Sequence, residues 1–411
     1  MDGCFINFEG TFGIFVWNHI LDYSMITYRY RFFFLPVFFL FLLSACLDED
    51  GTETIFPGKT VLVYMVADNS LSNDSGANID SMAAGLREND ITGNLLIYVD
   101  RSDETPELIQ LVKSDDGSIR RETIRTYPEQ NSVSVAVMSS VLNEVATRFP
   151  SESYGLVLWS HGYGWLPATT TSSVSTRWFG LDGSDEMDLS DLVTALNEGP
   201  SVDYILFDAC FMGGVETAYT LRNCAGYLIV SPAEVLSDGF PYSKMLPYMF
   251  GSMKSDYIRM ASLYYEHYHA LTGYDCSAAV SCIKCSELEA LAFETKTLID
   301  THVADLDSFD VSSVQSLDGY APHVFYDFGH FAESFTTGLE RYSFEQQLKK
   351  TVVYEACTEN ILSVSNRTCF FPVTHFSGLN TYIPSDENAT RNTSYQKLDW
   401  YSAAGWNHTR W

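Results

Sequence analysis

The stretch KTVLVYMVA (59–67) is apolar or aromatic at every position after its first two residues. An unbroken run of this kind, without polar alternation, predicts a strand covered on both faces. NLLIYVD (94–100), YGLVLWS (154–160), YILF (204–207) and Tyr227 to Ser231 repeat the type. Between them the apolar spacing becomes helical: Ile79 to Arg87, then Val133 to Phe149 with Val137, Val141, Leu142 and Val145, then Asp188 to Leu196. A polar, hairpin-like stretch follows Asp100, and residues 167–185 are a long Thr/Ser/Gly-rich loop without period. Strands alternating with helices predict an α/β fold, a mainly parallel sheet with helices on both faces. Chemistry in such sheets gathers at the carboxyl ends of the strands.

Beyond residue 255 the pattern is weaker. Arg259 to Leu271 and Leu288 to Leu306 have helical spacing, while Ala278 to Ile283 and Gly378 to Pro384 (GLNTYIP) read as strands. No internal repeat and no Pro-rich linker interrupts the chain.

At the other end, Arg29 and Arg31 precede a twelve-residue apolar run, Phe32 to Leu43. That run is too short to span a bilayer and has the form of a signal peptide. Leu43-Ser44-Ala45-Cys46 resembles a bacterial lipobox, which would make Cys46 the lipidated first residue of the mature chain. Residues 1–24 carry Asp2, Glu9 and Asp22 and do not resemble a signal head, so Met25 is the expected initiator. The expected organisation is a signal peptide with lipobox (1–46), an acidic tether (47–58), a catalytic core (59–250) and a C-terminal part packed on or extending it (251–411). Leu47-Asp48-Glu49-Asp50 resembles the acidic export tag of surface lipoproteins in Bacteroidetes. The implied location is the bacterial envelope, lipid-anchored at the outer membrane or cell surface.

Lys+Arg number 24 against 53 Asp+Glu, a formal net charge of -29. Removing the three acids and two bases before Cys46 leaves 50 against 22, or -28, so the acidity belongs to the mature protein. Such a surface repels nucleic acid and anionic lipid and favours cationic partners. Of nine cysteines, seven lie after Cys46, an odd number that does not suggest a complete disulfide framework. Cys282 and Cys285 form a CxxC, but no second pair follows at ligand spacing, and they read as core cysteines where a strand enters a helix.

His161-Gly162 and Ala209-Cys210 both stand at predicted strand ends, the cysteine 49 residues after the histidine. A cysteine nucleophile needs a base and backbone N–H donors for the oxyanion. His161 supplies the first, while Gly162 and Cys210 are candidates for the second. Alone, Cys210 would read as a core thiol; together the two residues point to nucleophilic catalysis. Asp208 shares a strand face with Cys210 at spacing two. Its charge disfavours a thiolate, so it suits a cationic substrate side chain better than nucleophile activation, unless it merely caps the turn. Gly213 and Gly214 read as close packing at a helix start.

Tyr64-Met65-Val66-Ala67-Asp68-Asn69, LVLWSHGYGW (156–165), FDAC (207–210) and Ser237-Asp238-Gly239-Phe240-Pro241-Tyr242 resemble, in order, the motifs of the clostripain family of cysteine peptidases. YDFGHFAES (326–334), GLNTYIP and Tyr395 to Trp406 are weaker echoes. The resemblance implies a caspase-like fold, a His161–Cys210 dyad, and Asp208 and Asp238 holding an Arg or Lys before the scissile bond. It also implies maturation by cleavage after Arg177, the one basic residue between histidine and cysteine. No cofactor is required; some relatives need calcium, for which Asp182, Asp185, Asp188 and Asp191 are the candidate oxygens. Their spacing is not that of an EF-hand, and a helix start with solvated acids accounts for them better than a calcium site. The expected function is an endopeptidase acting on protein or peptide substrates after Arg or Lys. A catalytically silent surface lipoprotein that binds basic peptides is the alternative. An acid-specific peptidase would instead want Arg or Lys where Asp208 stands.

Overall fold

Every position of β1 (Lys59–Ala67) is buried, and its side chains divide by parity between two cores. Leu62, Tyr64 and Val66 belong to the core that also holds residues of α2 (Val135–Arg148), α3 (Leu189–Glu198), α4 (Val215–Thr220) and α7 (Leu288–Thr301). Val61, Val63 and Met65 meet α1 (Asp74–Glu88), α5 (Tyr242–Met249) and α6 (Lys254–His269). This parity is why the run had no polar alternation: both faces of the strand are covered. Each fully buried aliphatic chain contributes ~1.5–3 kcal/mol, so a charge at Val63 would break the layer. The computed structural model describes residues 58–166, 179–319, 321–363 and 369–411. The predicted signal segment with Cys46, the tether before Gly58 and Arg177 lie outside the described residues.

The strands are β2 (Asn94–Arg101), β3 (Glu107–Lys113), β4 (Ile119–Thr126), β5 (Ser153–Trp159), β6 (Phe179–Asp182), β7 (Asp185–Met187), β8 (Val202–Asp208), β9 (Ala225–Val230) and β10 (Ala279–Lys284), then β11 (Tyr326–Asp327), β12 (Val352–Cys357), β13 (Asn360–Ser363), β14 (Cys369–Pro372) and β15 (Asn380–Thr381). Nine form one sheet in the order β12-β10-β9-β8-β5-β1-β2-β3-β4. The five central strands run parallel. Antiparallel pairs close both margins, β2–β3–β4 on one side and β9–β10–β12 on the other. The polar stretch after Asp100 is the β3–β4 hairpin. Residues after 255 thus extend the same sheet through β10 and β12.

Several expectations change. The stretch expected as a loop over 167–185 carries β6 and the start of β7 in its described part. The helix expected over 288–306 breaks at His302, whose ring bonds Asp305 and Glu340 at 3.0 and 2.9 Å. GLNTYIP holds only the two-residue β15, paired with β11 outside the nine-stranded sheet, and it also bridges through Asn380 to Gly214 on the loop after Cys210. Among the described residues no helix is long and apolar enough to cross a membrane.

Candidate active site

β5 ends at Trp159 and β8 at Asp208, and these two residues are register partners. The segments leaving them, 160–164 and 209–214, therefore emerge side by side. From β1 the chain moves to β2 on one side, and from β5 to β8 on the other. The crevice lies at that reversal, where open α/β sheets bind ligands.

His161 is held by backbone and side chain alike. Its carbonyl accepts the Gly180 N–H at 3.0 Å, and its Nε2 lies 2.9 Å from Ser70 Oγ on the loop after β1. Burial lowers its pKa below the usual 6.5, which keeps the imidazole neutral. Gly162 has no room for a side chain: a Cβ there would meet the Cys210 carbonyl oxygen at 2.9 Å and Ala209 Cβ at 3.0 Å. Its N–H has no hydrogen-bond partner among the described residues, as an oxyanion donor requires.

β8 stops before Cys210, so the cysteine sits in a turn rather than on the strand expected from the spacing. The turn is sharp because Phe211 adopts φ +58°, the left-handed region that costs a bulky residue energy. Stacking on Phe325 (centroids 4.5 Å apart) and an N–H bond to Ala233 O (2.9 Å) hold it there. Cys210 Sγ accepts the Val235 N–H at 3.3 Å. Burial, then the charges of Glu234 and Asp208, push the thiol up to about 12, against the Val235 N–H and a smaller contact from the Cys210 backbone itself.

Asp208 is 4% exposed. Its Oδ2 accepts from Tyr242 Oη (2.7 Å) and the Phe240 N–H (3.1 Å), while Oδ1 receives no hydrogen bond from any described residue. Burial raises its pKa to about 6. A cavity of about 450 Å³ brings together the five residues predicted for catalysis and substrate binding: His161, Gly162, Cys210, Asp208 and the exposed Asp238. Glu234 and Asp275 line it too, and no Lys or Arg does among the described residues. Sequence reading missed these two acids and Ser70. A solitary Glu in PAEVLSDG reads as surface, yet Glu234 is buried and bonded by Ser363 Oγ at 3.0 Å.

The acids weighed for calcium have other work. Asp182 accepts the Ser132 N–H and Asp185 the Asn131 amide; Asp188 precedes α3, and Asp191 lies in its first turn. No group of three or more His, Cys, Asp or Glu is placed to hold a metal among the described residues. Cys282 and Cys285 are free and buried at the β10–α7 junction.

The model of the clostripain family of C11 peptidases matches residues 63–411. The chain belongs to that family. Clostripain of Hathewaya histolytica is 25% identical over 216 residues, 45% of this chain and 41% of that one. The match thus spans under half the length of that curated relative. A secreted C11 cysteine protease from Bacteroides thetaiotaomicron, solved with an irreversible peptide inhibitor, is 33% identical with TM-score 0.76, covering 86% of this chain and 100% of that one. An inactive zymogen C11 protease from Parabacteroides distasonis is 34% identical with TM-score 0.76, covering 85% and 98%. The fold is the caspase-like α/β fold of these proteins, and the family is one of cysteine-type hydrolases.

Proposed function

We propose that the protein is a cysteine endopeptidase that cleaves after Arg or Lys, with Cys210 as nucleophile and His161 as general acid and base. The observation that carries this is the single cavity. A histidine and a cysteine stand on adjacent strand ends, with carboxylates from Asp208, Glu234, Asp238 and Asp275 around them. Asp208 is buried, with one oxygen spent on the protein and the other left for a guanidinium or ammonium. With a neutral imidazole and a protonated thiol at rest, His161 takes the thiol proton as Sγ attacks the scissile carbonyl. The N–H groups of Gly162 and Cys210 receive the oxyanion, the C–N bond breaks as His161 protonates the leaving amine, and water hydrolyses the thioester. A bound cation offsets the charge of Asp208 and Glu234, which eases ionisation of the thiol.

Arg- and Lys-amide reporters test the reading. Both should be turned over, neutral and acidic analogues should not, and Cys210→Ala should abolish the signal. Activity surviving in Cys210→Ala would refute it. Self-processing after Arg177 belongs to the same proposal: purified wild-type protein should yield two fragments and Cys210→Ala one. Anchoring through Cys46 makes the enzyme an envelope lipoprotein, and palmitate labelling that disappears in Cys46→Ser tests it.

A further inference from the structure

The loop 209–214 and the segment 231–235 run past each other as a short ladder. Phe211 N–H donates to Ala233 O (2.9 Å), Gly213 N–H to Ser231 O (2.8 Å), and Val235 N–H to Cys210 Sγ (3.3 Å). The two backbones are nearly in contact at Gly213, where a Cβ would lie 2.5 Å from Pro232 N. Neither segment belongs to a strand of the sheet, and the last rung ends on the sulfur itself.

One residue spans both sides of this ladder. Asn380 in β15 is fully buried. Its N–H donates to Gly213 O at 2.9 Å, and its Nδ2 donates to Pro232 O at 2.8 Å. Its Oδ1 fills the space left by the missing side chain of Gly214, where a Cβ would lie 2.8 Å away. The residues on either side fix it from outside the ladder. Thr381 Oγ1 and Tyr382 N–H both bond Glu216 Oε1 at 2.9 Å, and Ser377 bonds Asp327. An amide is the side chain that can donate across the gap at this reach without bringing a charge into a buried site.

We propose that Asn380 is a positioning residue for the nucleophile, setting the spacing of the two segments so that the Val235 N–H reaches Cys210 Sγ. It rests on Cys210 being the nucleophile, as proposed above. A backbone N–H on sulfur favours the thiolate, and here the Val235 N–H is the larger of two backbone contacts opposing burial and two carboxylates. Letting Pro232 drift therefore weakens the thiolate without touching the cavity's acids.

The test is the pH dependence of Cys210 alkylation by iodoacetamide, alongside kcat and KM on an Arg-amide reporter. In Asn380→Ala the alkylation profile should move to higher pH by about one unit, the size of one hydrogen bond to a charged atom. The same change should lower kcat about tenfold with KM within about twofold. Thr381→Val, which loses a bond to Glu216 but not the span, should lower the melting temperature and leave the alkylation profile in place. Asn380→Ser serves if the alanine variant does not fold: it keeps the backbone bond to Gly213 and loses the reach to Pro232. Asn380 variants with the wild-type alkylation profile, or an equal shift in Thr381→Val, overturn the inference while Cys210 keeps its role. Failure of both Asn380 variants to fold also overturns it, since the residue would then be structural. A wild-type protein with no Arg-amide turnover would sink the proposed function itself.

Discussion

Asp208→Asn should make the protein more stable and far less active. The carboxyl is buried, and its pKa is pushed from 3.8 to about 6. A raised acid pKa means the folded state binds the proton more tightly than the unfolded one. The contribution to stability is therefore most favourable below pH 3.8, declines as pH rises toward 6, and is flat above. Over that shift the ionised group costs about 3 kcal/mol of folding free energy at pH 8. The amide keeps the shape and can still accept from Tyr242 and Phe240. Urea unfolding at pH 8 should show a gain approaching about 3 kcal/mol, shrinking to near zero by pH 3.5. Turnover should move the opposite way. A guanidinium deprived of a buried carboxylate loses about 3–5 kcal/mol, roughly 10²- to 10⁴-fold in kcat/KM. Alkylation of Cys210 should not slow, because Asp208 raises the thiol pKa. A variant that is less stable at pH 8, or that keeps Arg turnover within about fivefold, would refute the assignment of Asp208 as the substrate's counter-charge.

Gly162→Ala should reduce kcat by about 10²-fold with little change in KM, since its methyl must displace the Cys210 carbonyl 2.9 Å away; a kinetically silent variant would remove Gly162 from the oxyanion site. Glu234→Gln takes away the largest charge acting on the thiol, so alkylation at pH 8 should speed up by about three- to tenfold; an unchanged rate would show that burial alone sets the thiol pKa. The acid limb of kcat/KM should fall below pH 6.5, because burial lowers the His161 pKa and only the neutral ring can accept the thiol proton. A limb above 6.5 would assign the titration to another group.

Legibility in the sequence followed burial. Apolar runs such as KTVLVYMVA mark strands covered on both faces, and the described β1, β2, β5 and β8 lie where those runs stand. Strand ends are readable as well, because an Asp or His closing an apolar run has no buried use except chemistry or a turn. The margins were harder. β12, VVYEAC, is half-covered and mixes polar with apolar residues, so nothing in its composition separates it from a loop. Ser70, Glu234, Asp275 and Asn380 escaped for a different reason. The neighbours each one meets at the site are supplied by other elements. Asn380 is 170 residues after Cys210, and only the folded chain shows that its backbone and side-chain N–H donors straddle the loop that carries Cys210.

The order of the sheet has a consequence for a chain cut anywhere between residues 166 and 179. Strands β1 to β5 all lie on one side of the β5–β8 boundary, and β8, β9, β10 and β12 on the other. Such a cut divides the sheet along one seam, with His161 on the first fragment and Cys210 on the second. Neither fragment holds a complete site. Both are joined by the parallel β5–β8 ladder and by the β6–β7 hairpin, which reaches back through Asn69 Nδ2 to Leu181 O (2.7 Å) and Gly183 N–H to Asp68 O (2.8 Å). In a protein nicked there, the candidate site would lie along the seam between the two fragments. If the proposed dyad is right, activity should appear only when two separately produced halves are combined.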